Sequence, residues 1–160
     1  MAARPDVVHV MEPLPGPGTT VVYLAGPVPR DPVAPSWHTE AVELFRGEGF
    51  TGALVVPRPR GESWPADAES QMAWEAAAQY RADALAFWVP RDMEHLPGLT
   101  SNLEWGIWHA SGKAILGAPI DAPRMGYLRY WARRGGAPIA DTLQATVELT
   151  LALLAGPSGA

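Results

Sequence analysis

The chain of 160 residues has no cysteine, no excess of positive charge and no long apolar run. Without cysteine there are no disulfides and no thiolate metal ligands. Seventeen acidic residues against twelve basic ones leave a formal charge of −5, so nucleic-acid phosphates would meet no basic surface able to neutralise them. Every hydrophobic stretch is broken by charge, proline or glycine well before the ~18 residues that a membrane span requires. Residues 1–10 include Arg4 and Asp6 and lack the apolar run of a signal peptide. The expectation is a soluble, cytoplasmic protein that binds a small molecule, with no nucleic-acid and no membrane partner.

Several familiar motifs are also missing. The glycines at Gly16 and Gly18 alternate with proline, which has no N–H to cradle a phosphate. Ser111-Gly112-Lys113-Ala114 resembles the end of a Walker loop, but Gly106 is misplaced and Ala114 has no hydroxyl for magnesium. No G-x-S-x-G elbow occurs, and His9, His38, His95 and His109 show no paired ligand spacing. Asp92, Glu94 and His95 read as a solvated polar loop rather than a metal site. Neither metal nor cofactor is expected.

The hydrophobic content, 48%, suits one ordinary core. Residues 12–20, EPLPGPGTT, support neither helix nor sheet interior, so residues 1–20 read as a flexible leader. A single domain is expected over 21–155, followed by a disordered tail at 156–160. Within the domain, short apolar runs at 21–25, 53–56, 84–89 and 113–116 read as strands. Helical patterns fall at 38–46, 68–81, 102–110, 126–134 and 141–154. Their alternation predicts an α/β, flavodoxin/Rossmann-like three-layer sandwich around a mainly parallel sheet of four to five strands. Ligands in such folds sit at the carboxyl ends of the strands, so the loops after Ala25, Val56, Val89 and Gly117 are where chemistry is sought.

Two carboxylates stand out. Glu104 lies in TSNLEWG (100–106). With Ser101 it forms a capping-box spacing, a common structural device. The same position also puts a carboxylate at the ligand-facing end of the sheet, where a helix dipole would keep it ionised, as a nucleophile must be. Glu75 follows Gln71 by four residues on one helix face, beside Trp74, among alanines that leave little polar surface. Partial burial would raise its pKa and suit it to act as an acid, giving the carboxylate pair that glycosidic chemistry uses. Seven tryptophans is a high count. Trp37, Trp64 and Trp74 lie near loops or the acid helix and are candidates to stack on a flat base. Trp88, Trp105 and Trp108 are assigned to the core or a subunit interface.

YLAGP (23–27), SWH (36–38), QMAWE (71–75), ADALAFWVPR (82–91) and TSNLEWG followed by GKAILGAP (112–119) together resemble the nucleoside 2-deoxyribosyltransferase-like proteins. The resemblance runs from Val21 to Tyr130, over five motifs in order. It implies that Glu104 attacks the anomeric carbon, that Glu75 assists the base, and that Tyr23 hydrogen-bonds the nucleophile. Gly26 and Pro27 would lie against the sugar. Better-known members have aspartate where Glu75 stands. Where transferases hold the sugar hydroxyl with an aspartate, and nucleotide hydrolases bind phosphate with a serine, this chain has Gly98. Thr100, Ser101 or Asn102 would then take over, with Arg30 and Arg91 as candidate phosphate ligands. Gln71 and Trp37 complete the expected substrate-binding set.

The resulting expectation is cleavage or transfer at the N-glycosidic bond of a nucleoside or nucleotide through a glycosyl-Glu104 intermediate. The alternatives are a catalytically silent nucleoside-binding protein of the same fold, and an ordinary flavodoxin-like domain with a capping box. The resemblance also implies a homodimer or higher homo-oligomer, with the 102–110 helix offering an apolar interface.

Overall fold

A computed structural model describes residues 4–29 and 36–157. Strands β1 (Asp6–His9), β2 (Val21–Ala25), β3 (Ala53–Val56), β4 (Ala84–Trp88), β5 (Ala114–Gly117) and β6 (Ile139–Ala140) form one sheet in the order β1-β3-β2-β4-β5-β6. Every neighbouring pair is parallel. The helices are α1 (Trp37–Gly47), α2 (Ala68–Arg81), α3 (Leu99–Trp108), α4 (Gly126–Gly135) and α5 (Leu143–Ala155). None of the described helices is long and apolar enough to cross a membrane.

Because successive strand side chains point to opposite faces, each short apolar run feeds two cores. Val21, Tyr23 and Ala25 of β2, Ala53 and Val55 of β3, and Leu85 and Phe87 of β4 face one side with Ala78, Trp105, Trp108, Leu128 and Ala132. Val22, Leu24, Leu54, Val56, Ala84, Ala86 and Trp88 face the other with Trp37, Ala41, Val42, Phe45, Leu143 and Val147. Helices α2, α3 and α4 thus cover one face and α1 and α5 the other, which is the expected three-layer sandwich. All four expected strands form, to within a residue at their ends. Trp88, Trp105 and Trp108 are buried core residues.

The sheet has two more strands than the four located in the sequence. Strand β6 is a two-residue edge. Strand β1 lies inside the segment expected to be a flexible leader and pairs in register from Asp6↔Ala53 to His9↔Val56. Edge strands need only one buried side and tolerate polar ends, so DVVH carries little strand signal. The proline-glycine segment after it is also tied down. Arg81 donates to the carbonyls of Pro15, Gly16 and Thr19, and Glu12 forms an ion pair with Arg60. The expected tail begins at Gly156, which caps α5, and residues 158–160 lie outside the described part.

Chain order reverses at β2, with β3 on one side and β4 on the other. That topological switch opens a crevice beyond the carboxyl ends of the two strands. Gly26 makes the exit from β2 possible. Its φ of +145° suits glycine, and a Cβ there would collide with the Trp88 carbonyl oxygen and lie 2.9 Å from the Trp37 ring.

Candidate active site

At this switch lies a cavity of about 400 Å³, within the ~300–1,000 Å³ range of small-molecule sites. Tyr23, Gly26, Pro27, Gln71, Glu75, Thr100 and Glu104, all singled out in the sequence, line it. Trp64, Ser101 and Gly98 also line it, as do Pro57 and the stretch His95 to Pro97, from the loops after Val56 and Val89 where chemistry was sought. The cavity floor comes from β2, one wall from α2, and the other from the β4–α3 loop with the first turns of α3.

Four expected contacts are not at the cavity, and a fifth falls outside the described structure. Trp37 is buried beneath the Gly26 loop, donating Nε1 to the Pro27 carbonyl at 2.9 Å and stacking on His38 at 3.8 Å. It shapes the loop instead of stacking on a ligand. Arg91 is buried and donates to Asn102 Oδ1 and to the Arg124 carbonyl. The guanidinium and the Asn102 amide therefore bond each other as a strut between the β4–α3 loop, α3 and α4, and neither lines the cavity. Arg30 lies outside the described residues. Trp74, offered as a stacking residue, turns away to donate to the Glu12 carbonyl at 2.9 Å. Of the three tryptophans suggested for stacking, Trp64 is the one in the cavity wall. In the polar loop, the Asp92 carboxylate accepts from the amides of Glu94 and His95, so it serves the turn.

The local setting of Glu104 differs from the capping-box reading. Helix α3 begins at Leu99, with Gly98 as N-cap at φ 65° and no side-chain cap. Ser101 is therefore a buried residue of the first turn, and Glu104 sits in the second turn, where the helix dipole acts weakly. Burial dominates instead. It pushes the Glu104 carboxyl from 4.5 up to about 7; a hydrogen bond from Gln79 opposes the rise, and the Glu75 charge adds to it. The dipole-stabilised carboxylate expected from the sequence gives way to one whose partial burial favours the protonated form.

The donor to Glu104 is Gln79, whose Nε2 lies 2.6 Å from Oε1. Gln79 Oε1 in turn accepts from Trp108 Nε1, also at 2.6 Å. Tyr23, expected to be the nucleophile's partner, is buried below the pair. Burial, then the Glu104 and Glu75 charges, drive its phenol well above the ordinary value, against a hydrogen bond with Gln79. Tyr23 is thus held protonated. Gln71 Nε2 donates to Glu75 Oε1 at 2.8 Å, the i,i+4 contact that their spacing implied. Gln79 is the next step of that same stripe, four residues beyond Glu75, so its position was open to discovery from the spacing of Gln71 and Glu75.

A six-stranded parallel α/β sandwich with two carboxylates at the strand ends is a Rossmann-like domain with an acidic small-molecule site. The chain belongs to the nucleoside 2-deoxyribosyltransferase-like family, whose model matches residues 19–122. A search of curated proteins found no significant match. Membership supports a role in nucleoside glycosyl transfer or hydrolysis in general.

Proposed function

We propose that the protein cleaves or exchanges the N-glycosidic bond of a nucleoside or nucleotide, with Glu104 as nucleophile. The observation that carries this reading is that Glu104 and Glu75 line one cavity, with the protonated Tyr23 beneath them. In the reaction, a Glu104 oxygen attacks C1′ and the C1′–N bond breaks. Its electron pair passes to the base nitrogen, which takes a proton from Glu75, directly or through water. Water or a second base then attacks C1′ of the glycosyl ester, releasing the Glu104 carboxylate and returning a proton to the solvent or to Glu75. Two inversions give net retention. Gly26 and Pro27 bound the sugar, Thr100 and Ser101 offer hydroxyls to it, and Trp64 offers a ring to the base.

Attack requires the carboxylate form, so turnover rises with pH through the Glu104 value of about 7. The unusual surface of α2 and α3 supports a homo-oligomer as part of this reading. Met72, Tyr80, Leu99, Leu103 and Ile107 are all exposed, and Met72 and Leu99 also line the cavity. A second copy on this face would complete the wall and exclude water.

The test is incubation of the protein and its Glu104→Ala variant with nucleosides and 5′-monophosphates, with and without a second free base, followed by chromatography of the bases. Release or exchange is expected to fall by at least ~10⁴-fold in the variant, the scale of losing a covalent nucleophile. Tight binding with no turnover by the unaltered protein would instead favour a silent nucleoside-binding protein.

A further inference from the structure

The two short hydrogen bonds around Gln79 have a fixed direction. An indole N–H can only donate, so Trp108 requires the Gln79 amide oxygen to face it. The amide NH₂ must then face Glu104. Gln79 is 6% exposed and Trp108 8% exposed, so their mutual contact is shut off from water. A flipped amide would set donor against donor at Trp108 and oxygen against carboxylate at Glu104, losing both bonds. Glu104 and Trp108 are four residues apart on α3 and therefore share a face, and Gln79 on α2 bridges them. Lys113 clamps the far end. Its Nζ donates to the carbonyls of Gln79 at 2.9 Å and Ala82 at 2.8 Å, and lies 4.5 Å from the Trp108 ring centroid.

We propose that Gln79 and Trp108 are positioning residues for the reaction: the indole fixes the amide orientation, and the amide holds Oε1 of Glu104, leaving Oε2 to attack. The reaction part of this inference rests on the nucleophilic role proposed for Glu104; the hydrogen-bond relay itself does not. The titratable groups acting on Glu104 are Glu75 from α2 and Tyr23 from β2, and His95 of the β4–α3 loop lines the same cavity. None of them supplies the hydrogen bond that Gln79 makes.

Two readouts separate the relay from the activity. The first is ¹H–¹⁵N NMR of the tryptophan side chains, with the Trp108 signal assigned from Trp108→Phe. In the unaltered protein that signal is expected to titrate with a midpoint near 7, the Glu104 value, and to lose the titration in Glu104→Gln. A flat Trp108 signal in the unaltered protein overturns the relay even if the enzyme is active. A titrating signal in a protein that releases no base leaves the relay standing and removes the glycosidic reading.

The second readout is kinetic. Trp108→Phe keeps the ring and removes the donor. It is expected to lower kcat about tenfold, leave KM within about twofold, and move the acid limb of the kcat profile upward by up to about one pH unit. Gln79→Met should do at least as much, and the double variant no more than Gln79→Met alone, since Trp108 acts through the amide. Equal losses in a folded Trp108→Phe protein with an unmoved acid limb would mean a purely structural role and overturn the proposal.

Discussion

The two helical layers of this sandwich differ in what they leave exposed. Helix α1 buries Ala41, Val42 and Phe45 together with His38 and turns Glu40 and Glu43 to water; α5 buries Leu143 and Val147 together with Thr146 and Thr150 and exposes Glu148. On the other face α2 and α3 bury Gln79 and Ser101 and turn Glu104 inward, while Met72, Tyr80, Leu99, Leu103 and Ile107 face outward. The first arrangement minimises exposed apolar area and needs no further explanation. Both layers bury polar groups at a desolvation cost, but only the second leaves large apolar side chains uncovered. The proposed reaction lies on the inside of this second layer and the proposed partner on its outside, whereas the α1/α5 layer leaves no large apolar side chain exposed.

The contrast can be broken at specific positions. The largest effect is expected in the stable layer: Phe45 is fully buried, and Phe45→Ala should cost about 3–5 kcal/mol of unfolding free energy, measured by denaturant titration. A loss below about 1 kcal/mol would mean that α1 is not the structural half.

The catalytic layer should respond in the opposite sense. Between the ordinary carboxyl value of 4.5 and the folded value of about 7, the folded state of Glu104 binds the extra proton. Stability therefore falls as pH rises through that window, and the penalty is complete above it. Glu104→Gln removes the penalty, so the variant should be more stable than the parent by up to ~3 kcal/mol above about pH 8. The gain should vanish below 4.5. Thermal unfolding across pH measures this, and a variant that is uniformly less stable would contradict a strained, buried carboxylate.

The smallest effect on stability is expected outside. Ile107 is 57% exposed, so Ile107→Glu should change monomer stability by less than about 0.5 kcal/mol while converting the oligomer to a monomer in light scattering. An unaltered protein that is already monomeric, or an oligomer that survives the substitution, would leave the outer face of α2 and α3 without its proposed partner.

The same contrast explains what could be read from the sequence. Strands β2 to β5 were legible because both cores draw on continuous apolar runs, and α1 because its apolar spacing points one way. The edge strands were not, since DVVH and the two residues of β6 bury too little to show a period. At the site, residues on regular elements were placed well: Tyr23, Gln71, Glu75 and Glu104 all line the cavity. Trp37, Arg91 and Asn102 were not, because their side chains are taken up by internal hydrogen bonds, Trp37 to the Pro27 carbonyl and Arg91 to Asn102. The pKa of Glu104 was misread because dipole position is local but burial is tertiary: it depends on α2, some thirty residues away in the chain.

The pairing of β1 also determines how the molecule can be shortened. The family match starts at residue 19, and a chain trimmed there would keep the cavity-lining residues but lose the strand that covers the outer edge of β3. The unpaired N–H and C=O groups of Ala53–Val56, flanked by apolar side chains, would then be free to take up any passing strand. In the untrimmed chain β1 covers that edge, at the margin of the sheet and away from the cavity at its centre.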